Sequence, residues 1–214
     1  MLSVALLALV GAALPSAGLP SGGQPIGDAA NWLHSGDFPS TEWHMAAVTR
    51  YDLMVDEVGR TVGCTITGPS GSAIVDQVAC TSLIARARYS PARDARGQIV
   101  AQAIRGKLEW HPDSDSGNEL RNTADLAIRS PSVTQKQGIV PVKVVVIYGQ
   151  SGAIEQCVVI KPAPAARLNK QACAEASRPG TFTPVRDARG ATTRGLREIE
   201  VVFSHGEKRH VTIL

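Results

Sequence analysis

Pro91-Ala-Arg-Asp-Ala-Arg-Gly97 returns 93 residues later as Pro184-Val-Arg-Asp-Ala-Arg-Gly190, with one position of seven changed. The same offset holds without a gap over the flanking sequence. Cys64 and Cys80 fall on Cys157 and Cys173, Gly59 on Gly152, and Ala79 on Ala172. Where identity is lost, bulk is kept: Val75/Leu168, Ile66/Val159, Tyr89/Phe182 and Trp110/Phe203. Chance does not hold a register through two cysteines, a glycine and a seven-residue block. The chain carries one unit twice, and a self-similar period means that the fold is read per copy.

The 214 residues then divide into two units of roughly 90 to 100 residues, each long enough for a modest core. Aromatic residues make up 4% of the chain, too few for the stacking platforms that single-stranded nucleic acid requires. The net charge of +3 is spread among acids, whereas a nucleic-acid footprint is a concentrated basic face. No nucleic-acid partner is expected. The runs Ala85-Arg-Ala-Arg-Tyr89 and Arg93-Asp-Ala-Arg96 read as solvated surface or as partners for carboxylates.

Leu2 to Leu14 is an apolar run followed by Pro15 and small residues, with no Lys or Arg before it. Residues 1–20 therefore read as a signal peptide, either cleaved or kept as an N-terminal anchor. No other stretch is long and apolar enough to span a bilayer, so membrane contact is expected only through this segment. Residues 21–30 are a Gly- and Pro-rich linker. The four cysteines form two pairs with the same separation. In an exported chain that pattern is a disulfide framework. Of the three connectivities the repeat makes Cys64–Cys80 and Cys157–Cys173 the simplest. Zinc cages use short C-x(2–4)-C spacings, and there are none.

Residues 49–55 alternate, with Tyr51, Leu53 and Val55 on one face, which predicts a half-buried strand. Gly59 supplies a tight turn, and residues 60–67 return as the second strand of a hairpin with Cys64 near its middle. From 72 to 88 the apolar residues Val75, Val78, Ala79, Leu83 and Ala87 recur at helical spacing, with Cys80 among them. Ile99–Trp110 reads as a third strand. The second copy repeats the order: strand 140–148, a turn ending in Gly152, strand 154–160, helix 168–177 and strand 194–204. Two short helices, over 28–33 and 41–47, are expected before the first copy. The expected fold class is α+β: two tandem modules, each a β-β-α-β three-stranded antiparallel sheet with one helix packed on it. The first covers 31–110 and the second 138–206. Residues 111–137 join them as a polar linker with a helix over 120–128, and 207–214 form a tail.

Several residues carry a resemblance. Asp37-Phe38-Pro39 stands before the sheet, Val55-Asp-Glu-Val-Gly-Arg-Thr-Val62 spans the hairpin, Pro69-Ser-Gly71 with Val75-Asp76 opens the helix, and Ala87-Arg-Tyr-Ser-Pro-Ala92 follows it. In order and spacing these resemble the C-terminal domain of TonB, the periplasmic part of an energy transducer acting on outer-membrane receptors. The match covers about residues 31–110 and, more weakly, 138–204. The resemblance implies binding and not catalysis: an exposed sheet edge takes up a short extended segment of the receptor by strand addition. On this chain the implied edge is Ile99, Ala101, Ala103, Arg105, Lys107 and Glu109, with 194–204 as a second candidate. Asp37, Phe38 and Pro39 are a secondary partner site. The other reading of these strands is that they complete their own sheets or pair with each other between copies. The expected partners are TonB-dependent outer-membrane receptor segments or other envelope proteins in the periplasm. The alternative function is a structural envelope protein whose tandem sheets pair with each other, without energy coupling. A working transducer also has a retained N-terminal helix and a long Pro-rich spacer; residues 21–30 offer a much shorter reach.

No catalytic residue, metal site or cofactor is expected. Asp113-Ser-Asp-Ser-Gly-Asn-Glu119 has fewer oxygen donors than a calcium loop needs. His205 and His210 read as solvated. Asp76 and Asp94 are expected to cap a helix and to brace Arg93 or Arg96. The doubled Arg-Asp-Ala-Arg block reads as a structural turn, with a ligand site as the alternative.

Overall fold

The computed structural model describes residues 18–37, 47–110, 119–121, 124–206 and 210–213. The two sequence copies share a strand–strand–helix–strand order, and the first adds a two-residue strand before its last. In the first copy these are β1 (Ala47–Val55), β2 (Thr61–Gly68), α1 (Ala73–Arg86), β3 (Ala92–Arg93) and β4 (Ile99–Trp110). Between the copies lie β5 (Glu119–Arg121) and β6 (Leu126–Ser130). The second copy has β7 (Val140–Tyr148), β8 (Ile154–Lys161), α2 (Ala166–Ala176) and β9 (Gly195–His205), and the tail adds β10 (His210–Ile213). β1 and β7, β2 and β8, and the starts of α1 and α2 keep the offset of 93.

The expectation of two separate three-stranded modules does not hold. The described strands form one mixed sheet, ordered β10-β6-β9-β4-β1-β2 with β7 and β8 on the far side of β9. The protein is α+β only in the broad sense of a sheet flanked by helices. The two copies fuse where β4 meets β9 in parallel, pairing Ala101↔Gly195, Gln102↔Leu196 and Ala103↔Arg197. A last strand with an open flank is a row of unsatisfied backbone donors and acceptors, and here each copy's last strand satisfies the other's.

That pairing runs at an offset of 94, one more than the repeat. Side chains along a strand alternate between faces, so a slip of one residue inverts the faces. The two helices consequently lie on opposite sides of the sheet. α1 buries Val75, Ala79 and Leu83 against Tyr51, Leu53, Val55, Leu108 and Trp110. α2 buries Leu168, Ala172 and Ala176 in a core that includes Val144, Val146, Ile199 and Val201. That second core also takes in Met54, Ala101 and Ala103 from the back of the first copy, so the two copies share it.

The local chemistry of the units is as the residues predict. Ser72 caps α1, accepting from the amide of Val75, and the helix ends before Tyr89-Ser-Pro91, where proline restricts the residue before it. Gly59 has φ of 85° and Gly152 has φ of 80°. At Gly59 a Cβ would also come within 1.8 Å of the Tyr89 carbonyl. Cys64 on β2 bonds Cys80 on α1, and Cys157 on β8 bonds Cys173 on α2, with Cα separations of 5.4 and 5.7 Å. Each disulfide pins a helix to an outer strand.

The repeated Arg-Asp-Ala-Arg block makes the same turn twice. Asp94 accepts from the amides of Arg96 and Gln98 at 2.9 Å. Asp187 accepts from those of Arg189 and Ala191 at 2.8 and 3.0 Å. The expected helix over 120–128 is instead β5 and the start of β6. Leu126 and Ile128 are buried while Arg129 is exposed, a period of two that the open flank of β9 pulls into the sheet through Leu126↔Val201 to Ser130↔His205. The residues read as a linker and a tail thus supply strands, β10 pairing with β6.

Cys157→Ser with Cys173→Ser is expected to lower stability by about 3 kcal/mol, the loop-closure estimate for a loop of this size. Because both copies share one sheet and one core, urea unfolding followed by tryptophan fluorescence and circular dichroism should stay a single coincident transition. Two separated transitions would show independent modules.

Candidate functional site

The expected binding edge is an interior strand. β1 runs along β4 from Ala47↔Trp110 to Val55↔Gln102. On the other flank β9 takes Ala101 and Ala103, and β5 takes Lys107 and Glu109. Ile99 pairs with Arg93 of β3. Ala101 and Ala103 are buried, Arg105 is committed to Asp52, and Lys107 and Glu109 form an ion pair of 2.6 Å. The second candidate, β9, has β7 on one flank and β4 and β6 on the other. Parallel pairing between the copies, with β5 beside β4 and β6 beside β9, leaves neither strand at a free edge. Among the described residues the sheet ends on β2, which pairs only with β1, on β8, which pairs only with β7, and on β10, which pairs only with β6.

Of the secondary site, Phe38 and Pro39 lie outside the described residues. Asp37 is bound by both terminal nitrogens of Arg86, one at 2.8 Å, and accepts from the His34 amide. The Arg86 guanidinium holds its carboxyl down at about 2. Asp37 therefore ties the short turn Ser35–Asp37 to the end of α1. Asp76 has a similar role inside the fold: it accepts from Thr49 at 2.9 Å, and Thr49 in turn accepts from the Trp110 indole at 2.8 Å. Asp94 is ion-paired to Arg194 at 2.8 Å. Burial raises its pKa, but Arg194 and the amides of Gln98 and Arg96 outweigh that and hold it below the ordinary value. His205 Nδ1 lies 2.7 Å from the Val133 carbonyl oxygen. The carboxylate loop beginning at Asp113 lies outside the described residues, and among the described residues no cluster of metal-ligating side chains occurs.

The structure brings together charged residues that the sequence did not single out. Where β4 meets β9, Asp52 receives Arg105 through two bonds, of 2.8 and 3.2 Å. It also receives Arg197 at 3.0 Å. Asp52 is 1% exposed and Arg197 0%. Both guanidiniums face the Phe182 ring, at 4.9 and 5.1 Å from its centroid, a cation–π arrangement. Burial pushes Asp52 up, but the two guanidiniums overcome it and hold the carboxyl below the usual range. One signal was available. At the repeat offset Asp52, Arg105 and Arg197 fall on Val145, Glu198 and Ile104. Asp52 and Arg197 each stand where the other copy has an aliphatic residue, and Arg105 where it has the opposite charge, which marks a departure from the shared unit.

Beyond Ala103 and Arg197 the strands diverge, β4 toward β5 and β9 toward β6. Asp125 closes the fork: its amide donates to the Glu200 carbonyl and its carboxylate accepts from the Glu200 amide, both at 2.8 Å. A cleft of about 210 Å³ opens here, lined by Gln102, Arg105, Lys143, Glu198, Glu200 and Asp125, with residues 22–25 across it. Lys143 and Glu198 pair at 3.2 Å. Burial raises Asp125 to about 6, against the pull of the Glu200 amide and of Arg197 and Arg105. Gln102 is 2% exposed; its oxygen accepts from the Gly23 amide at 2.8 Å and its nitrogen has no partner.

Fold and site thus define a class: a protein with a sheet fused from two copies and two helix-to-strand disulfides. Compared with protein-family models, curated proteins and solved structures, the chain matches none. The likeness to the TonB C-terminal domain rests on the sequence motifs alone. Disulfides suit an oxidising extracellular or periplasmic compartment, and no described helix is long and apolar enough to cross a membrane.

Two outcomes follow. Arg197→Met removes one partner of a buried ion pair and is expected to cost about 3 kcal/mol or more in urea unfolding at pH 7. Combined with Asp52→Asn, the loss should fall short of the sum by about 1 kcal/mol or more, since the groups touch; strict additivity would mean that the network is not coupled. For Asp125 the folded pKa lies above the unfolded value near 3.9, so the stability linked to it is full at low pH and falls as pH rises to about 6. Carboxyl NMR titration should find that midpoint near 6, and Asp125→Asn should remove this part of the stability profile.

Proposed function

We propose that this is an exported, non-enzymatic binding protein of the periplasm. It takes up an extended segment of an outer-membrane receptor, or of another envelope protein, by strand addition. The observation that carries this reading is β8. It is eight residues long, pairs only with β7 among the described residues, and its Val158, Val159 and Ile160 are half-buried. Its polar side chains, Glu155, Gln156 and Lys161, lie toward the ends and leave Cys157 to Ile160 apolar. An added peptide strand satisfies the open backbone groups and covers this surface. The Cys157–Cys173 disulfide holds the strand on α2, which lowers the ordering loss on binding.

The parallel pairing of β4 with β9 favours a second reading. There the copies use their last strands on each other, and the protein is a structural component of the envelope without energy coupling. Titrating the oxidised protein with extended receptor N-terminal peptides, followed by amide NMR, separates the two. Shifts centred on residues 154–161 are expected for the binder. Unchanged spectra at millimolar peptide would leave the structural reading.

A further inference from the structure

The residues read as a linker already behave as an added strand. Segment 18–26 runs antiparallel to residues 88–95, with bridges Ser21↔Arg93 and Pro25↔Tyr89. Ser21 and Arg93 exchange both backbone bonds at 2.9 Å, Ser90 donates to the Gln24 carbonyl at 2.8 Å, and Ile26 donates to that of Arg88 at 2.9 Å. The Gln24 amide donates to the Ser90 hydroxyl at 2.9 Å. Side chains contribute little. Of residues 18–26 only Pro20 is buried, and Leu19 is 66% exposed. The groove reads backbone, not side chains.

It also demands a particular backbone. A Cβ on Gly23 would stand 1.7 Å from the Ser90 carbonyl oxygen, and one on Gly22 would stand 2.8 Å from the Glu198 carboxylate. The fit is incomplete. Gln102 offers an amide oxygen and an amide nitrogen side by side, the pair that binds a peptide group's N–H and C=O together. Segment 18–26 uses only the oxygen, and the cleft of about 210 Å³ remains beside it. A buried donor left without an acceptor is destabilising.

We propose that the groove formed by residues 88–95 and Gln102 is a binding site for an extended, glycine-containing segment of a partner protein. The chain's own residues 18–26 occupy it in cis as a displaceable strap. The partner segment places glycine where Gly23 sits and offers a carbonyl to the Gln102 nitrogen. This surface is separate from β8, so either site can stand without the other.

Two measurements on the full oxidised chain test this. Native-state amide exchange should show Ser21, Ile26, Ser90 and Arg93 exchanging through a local opening, at least about tenfold faster than the β1 and β4 amides. Exchange of these four only with global unfolding would overturn the proposal. The probe peptide is Gly-Leu-Pro-Ser-Gly-Gly-Gln-Pro-Ile, the sequence of residues 18–26. Gly23→Val, which clashes with Ser90, should free the strap and let the peptide bind at least about tenfold more tightly than to the native chain, because a closed strap scales down the apparent affinity. Its shifts should fall on Arg88, Ser90, Arg93 and Gln102. A freed groove that takes no peptide, or shifts confined to 154–161, would sink the strap site; the latter would leave the β8 reading intact.

Discussion

Everything in this fold is arranged around three residue pairs, Ala101↔Gly195, Gln102↔Leu196 and Ala103↔Arg197. They are the seam along which two copies of a unit become one sheet. Placed there is one carboxylate, Asp52, shared by two guanidiniums that both face Phe182. Taking such charges out of water is strongly unfavourable unless each finds a partner. Asp52, Arg105 and Arg197 leave an excess of one positive charge, and Asp125 beside them balances it when ionised. The seam is therefore specific: a shifted pairing would strand a buried charge.

The offset of 94 against a repeat of 93 has consequences beyond packing. It turns the second copy over, sends α1 and α2 to opposite faces, and lets α2's core close over Met54, Ala101 and Ala103. It also takes up part of the last strand of each copy, so that among the described residues the sheet ends on the outer hairpin strands β2 and β8 and on the tail strand β10. Where β4 and β9 part, the fork admits the cleft, and the strap 18–26 lies across it. The cleft is a product of the fusion and not of either copy.

Much of each unit was legible. Alternation gave β1, helical spacing gave α1, the repeat carried both to β7 and α2, and the equal cysteine separation gave both disulfides. Gly59 and Gly152 stand at the turns they were read as making, and the doubled Arg-Asp-Ala-Arg block is a turn twice over. These are short-range consequences of side-chain period, backbone freedom and loop closure. Residues 120–128 were misread because five alternating residues are too few to choose between helix and strand. Their choice came from β9, which lies more than 70 residues away in the chain. The edge residues Ile99 to Glu109 were placed on the right strand, but whether that strand is an edge is not a property of its own sequence.

The site was less legible than the fold because it is made of exceptions to the repeat. Asp52, Arg105 and Arg197 break the pattern that identifies the unit, and a search for what recurs passes over them. The amino-acid order was sufficient for the duplicated unit, its elements, its turns and its covalent links, since each depends on neighbours within a few tens of residues. Which strand of one copy met which strand of the other, in what direction and at what offset, was left to the assembled molecule. That choice depends on long-range backbone pairing and on burying a few charges together, and neither has a local signature.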